Sequence, residues 1–470
     1  MSSRPTASDT SRDTSQAPGD SALRAGHPGD SSHGVFDALR PPAADQVADC
    51  VHCGFCLPAC PTYALWGQEM DSPRGRIHLI KLGLSGEVAM DETFRRHFDR
   101  CLGCMSCMSA CPSGVQYEPL LEATRAQIER QLERDDGDHL LRRALLLVMP
   151  RRWLLRLAAL AAWLYQRLGV RWLVRRFGID RHLPPGLRAA DGLLPDIRLS
   201  DALGSVPAQV PAHGPRRLRV GMIAGCVQSV FFRRVNQATI RVLAAEGCDV
   251  STPDSGCCGA LAVHAGHDEP GRAQARAMIA AFEDLEVDRI AINAAGCGAA
   301  LKHYPRLFAD EPAWRDRAAE FSAKVRDVLE LLDELGPRAQ RQPLAMKVAY
   351  HDACHLSHVQ GVRAAPRRVL GHIPGLAVVE VPDGEMCCGS AGIYNLTEPE
   401  AAEELGRRKA AHIGSLAVTT VAAANPGCLL QLGRYLPDDT RVVHPIELVD
   451  ESIGQSIEQP GGHLAADDRD

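Results

Sequence analysis

No run of eighteen apolar residues occurs anywhere in this 470-residue chain, so no transmembrane helix is predicted. No apolar segment of the secretory kind opens it. No G-x-G-x-x-G carries a strand-like run into a helix-like one, which excludes the usual fingerprint of a flavin or nicotinamide dinucleotide held by the chain itself. The net charge is −6, which removes the global electrostatic case for a nucleic-acid partner. Acidic residues are missing altogether from Leu141 to Ile179, a stretch rich in Leu, Ala and Trp that carries nine arginines: Arg142, Arg143, Arg151, Arg152, Arg156, Arg167, Arg171, Arg175 and Arg176. Its apolar run from Trp153 to Tyr165 is broken by Arg156 and is too short to span a bilayer. A basic amphipathic helix of this kind fits either an anionic membrane surface or another protein, and pattern alone leaves both open.

Cysteine, in contrast, is abundant, at 17 residues. Without a secretory segment these do not read as a disulfide framework, and a reducing compartment, the cytoplasm, is expected. Eight of them repeat one spacing twice: Cys50, Cys53, Cys56, Cys60-Pro61, then Cys101, Cys104, Cys107, Cys111-Pro112. Each run is C-x2-C-x2-C-x3-C-P and resembles the run by which bacterial two-cluster ferredoxins hold [4Fe–4S] cubanes. Three closely spaced thiolates wrap one cubane while the turn at proline carries the fourth away to the other cluster. The implied sets are Cys50, Cys53, Cys56 and Cys111 on one cluster, and Cys101, Cys104, Cys107 and Cys60 on the second. Zinc ribbons or disulfides are the competing readings, but zinc knuckles pair two C-x2-C units and need neither the third cysteine nor the C-P.

The expected organisation follows composition. Residues 1–40, rich in Ser, Asp, Pro and Gly, are expected to be disordered, and their mixture of acids and arginines does not suggest a cleaved transit peptide. Residues 41–135 form the α-helical two-cluster module, with a helix predicted to start at Asp71-Ser72-Pro73 and link the two cysteine runs. Residues 136–215 hold the basic segment and a Pro/Gly-punctuated linker. From residue 216, β-branched runs alternate with helical patterns, the signature of a mostly parallel sheet. Strands are predicted at Leu218–Ile223, Arg289–Ala294, Lys347–Tyr350 and Val418–Ala424, with helices at Phe231–Glu246 and Ala364–Leu370. Residues 455–470 form a flexible tail.

This C-terminal region is a duplication, 216–340 and 341–454, and its cysteines are in register. Cys226, Cys257-Cys258-Gly259 and Gly296-Cys297 recur as Cys354, Cys387-Cys388-Gly389 and Gly427-Cys428. The offsets are 128 (226 to 354), 130 (257 to 387) and 131 (297 to 428). The fold class expected is therefore multidomain, a ferredoxin-like helical module followed by a duplicated α/β Cys-Cys-Gly (CCG) domain with pseudo-twofold symmetry. A vicinal Cys-Cys pair is strained as a disulfide and comfortable on a metal. Cys226, Cys257, Cys258, Cys297, Cys354, Cys387, Cys388 and Cys428 are candidate ligands for a further iron–sulfur cluster, for zinc or another metal, or buried thiols without metal. Cys248 has no counterpart and reads as an ordinary buried thiol. Of the nearby histidines, His264, His267, His351, His355, His358 and His444, only His351 and His355, flanking Cys354, stand out as ligands or proton carriers.

The chain resembles the iron–sulfur subunits of bacterial glycolate oxidase (glycolate dehydrogenase) from about residue 45 to 450. The likeness rests on Cys50-Val51-His52-Cys53-Gly54-Phe55-Cys56, Asp71-Ser72-Pro73-Arg74-Gly75-Arg76-Ile77, Cys101-Leu102-Gly103-Cys104, the two Cys-Cys-Gly repeats and His444-Pro445-Ile446-Glu447-Leu448. Its cysteine skeleton is also similar to electron-transfer subunits of anaerobic glycerol-3-phosphate dehydrogenase, to lactate-utilisation proteins and to heterodisulfide reductases. The last of these have C-x2-C at the end of each repeat. Here those positions are Ala300 and Gln431, so the motif of each repeat has four cysteines. The resemblance implies FAD-bearing partner subunits that oxidise glycolate to glyoxylate, two [4Fe–4S] clusters on this chain that carry the electrons toward quinone or another acceptor, and no catalytic residue here. A related D-lactate or glycerol-3-phosphate dehydrogenase subunit, thiol/disulfide chemistry of the heterodisulfide reductase type, and a non-enzymatic redox sensor or metal-binding scaffold are the alternatives. Peripheral attachment to the inner face of the cytoplasmic membrane is one reading of the basic segment.

Overall fold

The structure, a computed structural model, describes residues 33–454. The N-terminal module is helical. Its central helix, Pro73–Ser85, begins where the sequence predicts: the Ser72 hydroxyl accepts the Gly75 N–H (3.0 Å) and Pro73 occupies the first helical position, where no N–H is needed. Helix Glu92–Asp99 is capped by Asp91, and helix Tyr117–Gln131 closes the module. Ile77, Ile80, Phe94, Phe98, Leu120, Leu121 and Ile128 form its core.

Phe36 joins that core, and the Val35 N–H donates to Gly83 O at 3.0 Å. The disorder expected for residues 1–40 is therefore wrong for residues 33–40: one aromatic side chain with a pocket to fill outweighs the polar composition around it. Residues 1–32 and the expected tail 455–470 lie outside the described residues.

The basic segment folds as helices Asp136–Val148, Arg152–Arg167 and Val170–Arg176. Leu155 and Ala159 pack on Val230 beside Cys226 of the first repeat. On and beside these helices Trp153, Leu157, Leu164, Leu168, Trp172 and Phe177 are left exposed. Among the described residues no helix is long and apolar enough to cross a membrane. The expected linker is not loose throughout. It contains helices Pro185–Leu193 and Leu199–Leu203, and then strand β1 (Gln209–Val210), which places residues ahead of 216 in the first sheet.

That sheet comprises β1, β2 (Leu218–Met222), β3 (Cys248–Ser251), β4 (Arg289–Ile292) and β5 (Val325–Asp327), in the order β1-β3-β2-β4-β5. Only β1 is antiparallel. The second sheet comprises β6 (Met346–His351), β7 (Leu376–Glu380), β8 (Thr420–Ala423) and β9 (Arg441–Val443), all parallel, in the order β7-β6-β8-β9. Without β1 the first order maps onto the second strand for strand, so the duplication inferred from cysteines is a duplication of topology. The long helix predicted at Phe231–Glu246 is broken at Phe232 into Gln228–Phe231 and Arg233–Ala245. Cys248 opens β3 and is fully buried. Strands covered on both faces need continuous apolar runs, and Val220, Met222, Val348, Ala349, Val421 and Ala422 supply them in one core shared by both repeats. The repeats also join through Ala295 N–H to Ala424 O (3.2 Å) and Gln360 Nε2 to Ala295 O (2.9 Å).

Candidate iron–sulfur and metal sites

Two neighbouring cavities gather the cysteines of the helical module. One is lined by Cys50, Cys53, Cys56 and Cys111, with Cys107 at its wall. The other is lined by Cys60, Cys101, Cys104 and Cys107. The turns at Cys60-Pro61 and Cys111-Pro112 thus send each distal cysteine toward the other run. Their surroundings differ. Cys53 is exposed and Cys50, Cys56 and Cys111 are partly so, whereas Cys60, Cys101, Cys104 and Cys107 are buried. All 17 cysteines lie among the described residues, and all are free thiols.

Donors and positive charge face the buried set, as cluster sulfur requires. The Tyr117 hydroxyl donates to Cys101 Sγ (3.7 Å), the Gly103 N–H donates to the same sulfur (3.4 Å), and Ser106 Oγ lies 3.5 Å from Cys104 Sγ. Thr62 Oγ1 lies 3.2 Å from Cys60 Sγ. Burial alone would raise the Cys101 thiol, but the Arg76 and Arg125 guanidiniums outweigh it and hold its pKa below the ordinary value. Burial pushes Cys104 and Cys107 up. Arg76 is itself buried, donates to His97 O (2.6 Å) and Thr62 Oγ1 (3.2 Å), and lies 3.6 Å from the fully buried Asp71 carboxylate. His97 (2.8 Å) and Arg100 (3.0 Å) complete Asp71's shell. The sequence named Arg76 only within the Asp71–Ile77 motif; the sole signal of its role was an arginine on the helix that joins the two cysteine runs.

In each C-terminal repeat the first and last cysteines sit where the strand order reverses, at the carboxyl ends of the two central strands, and the Cys-Cys pair lies in the loop after β3 or β7, in the usual ligand crevice of an open parallel sheet. Cys226 follows β2 and Cys354 follows β6. Cys297 and Cys428 are each the third residue of the helix after β4 or β8, Ala295–Lys302 and Pro426–Tyr435. The Gly of each Cys-Cys-Gly has positive φ, +81° at Gly259 and +90° at Gly389. A Cβ there would stand 2.5 Å from Gly271 O or 2.7 Å from Ala402 O, so glycine alone lets the loop fold against the following helix. In the first repeat Cys226 Sγ and Cys257 Sγ are 3.7 Å apart. In the second, the ligand atoms of His351, Cys388 and Cys428 all lie within 4.8 Å of one another. Burial holds His351 neutral, with a pKa down to about 3.

The structure separates the two singled-out histidines. His355 Nδ1 approaches Cys354 Sγ (3.5 Å), while His351 faces Cys388 and Cys428 instead. The others have ordinary polar partners: His264 with Glu122 (3.1 Å), His358 with Ser109 (2.9 Å), and His444 accepting from the Ile446 N–H as a helix cap. His267 lies 3.7 Å from Glu129.

The module and the second repeat share a boundary that the sequence did not reveal. Cys104 and Cys387 belong to one buried cluster with Leu102 and Tyr394, and Cys354 packs at its edge. Ser106 Oγ donates to Glu385 O (3.2 Å) and Tyr394 Oη to Arg100 O (3.1 Å). On the other side Arg306 pairs with Glu118 (2.9 Å) and Glu122 (3.0 Å) of the module.

Comparison with known proteins agrees with this layout. Residues 46–115 match the 4Fe–4S dicluster domain, and residues 220–302 and 348–433 match the cysteine-rich domain. Residues 137–194 match the linker region of the glycolate oxidase iron–sulfur subunit. The probable glycolate oxidase iron–sulfur subunit of Bacillus subtilis (strain 168) is 39% identical over 421 residues, covering 87% of this chain and 94% of that one. The chain belongs to the family of glycolate oxidase iron–sulfur subunits. The Escherichia coli (strain K12) glycolate oxidase iron–sulfur subunit is 35% identical, with 86% and 93% of the two chains covered. Lactate utilization protein A of Oceanobacillus iheyensis is 30% identical over 237 residues, only 49% of this chain. The basic helices thus belong to the glycolate oxidase family's own layout, and the two cavities fit the two [4Fe–4S] clusters that the dicluster domain holds.

Proposed function

We propose that the chain is the electron-transfer subunit of a flavin-dependent glycolate dehydrogenase complex. FAD on partner subunits takes the hydride from glycolate, and this chain passes the electrons on, toward quinone or another acceptor. The observation that carries the reading is the pair of adjoining cysteine cavities inside a chain 39% identical to a probable glycolate oxidase iron–sulfur subunit over most of its length. When bound, the two clusters, with Cys50, Cys53, Cys56 and Cys111 on one and Cys60, Cys101, Cys104 and Cys107 on the other, accept and donate single electrons.

The residues give that wire two unlike ends. At the Cys53 end the surface is apolar: Val51 and Phe55 are each 68% exposed beside it, a suitable rim for a partner subunit. At the other end Cys104 meets the second repeat. The CCG cysteines supply a further metal-bearing site, and the matched strand orders support a pseudo-twofold relation between the repeats. The test is to mix the chain with its flavin subunits anaerobically and add glycolate. Rapid bleaching of the iron–sulfur absorbance is expected, slower by an order of magnitude or more with D-lactate or glycerol 3-phosphate. Bleaching by a disulfide/thiol couple and not by glycolate would replace this reading with the heterodisulfide reductase alternative.

The basic helices provide peripheral attachment to the cytoplasmic face of an anionic membrane. Trp153, Leu157, Leu164, Leu168, Trp172 and Phe177 are exposed on and beside these helices. Among the described residues Arg143, Arg167 and Arg176 form no ion pair, whereas Arg152, Arg171 and Arg175 pair with Asp254 (3.1 Å) and Asp191 (3.5 and 3.0 Å). Each unpaired arginine near an anionic surface contributes about 1 kcal/mol. Replacing Arg143, Arg167 and Arg176 by Glu is expected to release the chain from phosphatidylglycerol vesicles in a sedimentation assay, with cluster content unchanged. Equal sedimentation of both forms would assign the face to a partner subunit instead.

A further inference from the structure

We propose that the second CCG repeat holds a single divalent metal ion of the zinc type on His351, Cys388 and Cys428, with Cys387 or Cys354 supplying a fourth thiolate, and that the first repeat lacks this site. The inference deepens, and rests on, the reading of the CCG cysteines as a metal-bearing site.

Three elements converge on the site: the end of β6 brings His351, the Cys-Cys-Gly loop brings Cys388, and the first turn of Pro426–Tyr435 brings Cys428. All three side chains are buried, His351 at 1% exposure. His351 Nδ1 nevertheless has no hydrogen-bond partner. A buried nitrogen left unpaired is destabilising, and coordination of an ion would offset that.

The spacing favours one ion over a cubane. Ligands of a tetrahedral zinc, with Zn–S near 2.3 Å, stand roughly 3.8 Å apart. The four thiolates of a cubane bind four separate irons and stand further apart. Here the nitrogen and both sulfurs lie within 4.8 Å of one another. A closed, buried set of imidazole and thiolate is the chemistry of structural zinc.

The repeats are not equivalent at this point. Val220 of β2 and Val348 of β6 occupy matching places, paired with Val250 and Val378 on one side and with Arg289 and Thr420 on the other. Three residues on, His351 corresponds to Ile223, which is buried and cannot bind metal. The site also has a purpose for the electron path. The loop it ties down continues to Tyr394, and Glu385 precedes it; these residues contact Arg100 and Ser106 beside the Cys104 cavity. An ion here fixes the wall of the buried cluster pocket.

The experiment is elemental analysis of the anaerobically purified full-length chain, with X-ray absorption at the zinc edge. About eight irons and one zinc per chain are expected, with one imidazole nitrogen among sulfur ligands. His351→Ala is expected to lower zinc about fivefold or more at constant iron. His351→Cys is expected to keep zinc and convert the edge spectrum to sulfur only, which guards against simple misfolding. Cys297→Ser, the first-repeat counterpart of Cys428→Ser, is expected to leave zinc unchanged. Absence of zinc, zinc indifferent to His351→Ala, or about twelve irons would overturn the proposal while leaving the electron-transfer reading intact. Iron well below eight would sink the two-cluster reading, and the zinc count would still judge this one.

Discussion

Cys60→Ser is expected to abolish the cluster seated with Cys101, Cys104 and Cys107, and to spare the one beside it in sequence, with Cys50, Cys53 and Cys56. The cause is geometric. Cys60 lies only four residues after Cys56 but lines the cavity of the second run, because Pro61 starts a helix that carries it there. A serine hydroxyl is a poor ligand for iron, so the expected loss is about four irons of eight. Cys111→Ser should produce the mirror result. The check is iron content with EPR of the dithionite-reduced variants. Loss confined to the Cys50, Cys53 and Cys56 cluster in Cys60→Ser would show that each run keeps its own fourth cysteine.

The second large effect is expected from Arg76→Met. This change removes a fully buried cation that lies 3.6 Å from Asp71 and whose charge acts on Cys60 and Cys101. Asp71 keeps His97 and Arg100, yet breaking a buried ion pair on one side typically costs about 3–5 kcal/mol, so a marked fall in unfolding midpoint is expected. The electrostatic consequence is separate. Reduction adds negative charge, which a nearby guanidinium favours, so its loss should make the potential of the buried cluster more negative. A shift on the order of 60 mV corresponds to a tenfold change in a one-electron equilibrium. Arg76→Lys, which keeps the charge, should recover most of the potential even if stability stays low. A redox titration that finds the same potential in Arg76→Met would limit Arg76 to a structural part.

Much of this was legible in the sequence, because cysteine spacing is a covalent constraint that burial does not disguise. Both runs, the helix capped by Ser72, and the duplication all followed from residue identity at fixed offsets. Phe36 was misjudged because composition averages over a segment, whereas one aromatic ring finds a pocket on its own. β1 was missed because a two-residue edge strand has no periodicity to read. The long-range juxtapositions were not legible at all. Cys104 and Cys387 are far apart in sequence, and no local pattern reports that they share a buried cluster. Arg76 on His97 O and His351 beside Cys388 are contacts of the same kind, made by separate elements whose packing only the fold specifies.

The measurement that bears most directly on the account is EPR of the dithionite-reduced wild-type chain together with its iron and acid-labile sulfide content. Two adjoining cubanes predict about eight irons per chain in the helical module and a spectrum broadened by spin–spin coupling between neighbouring clusters. Four irons, or two sharp and independent signals without coupling, would contradict a two-cluster wire at this site.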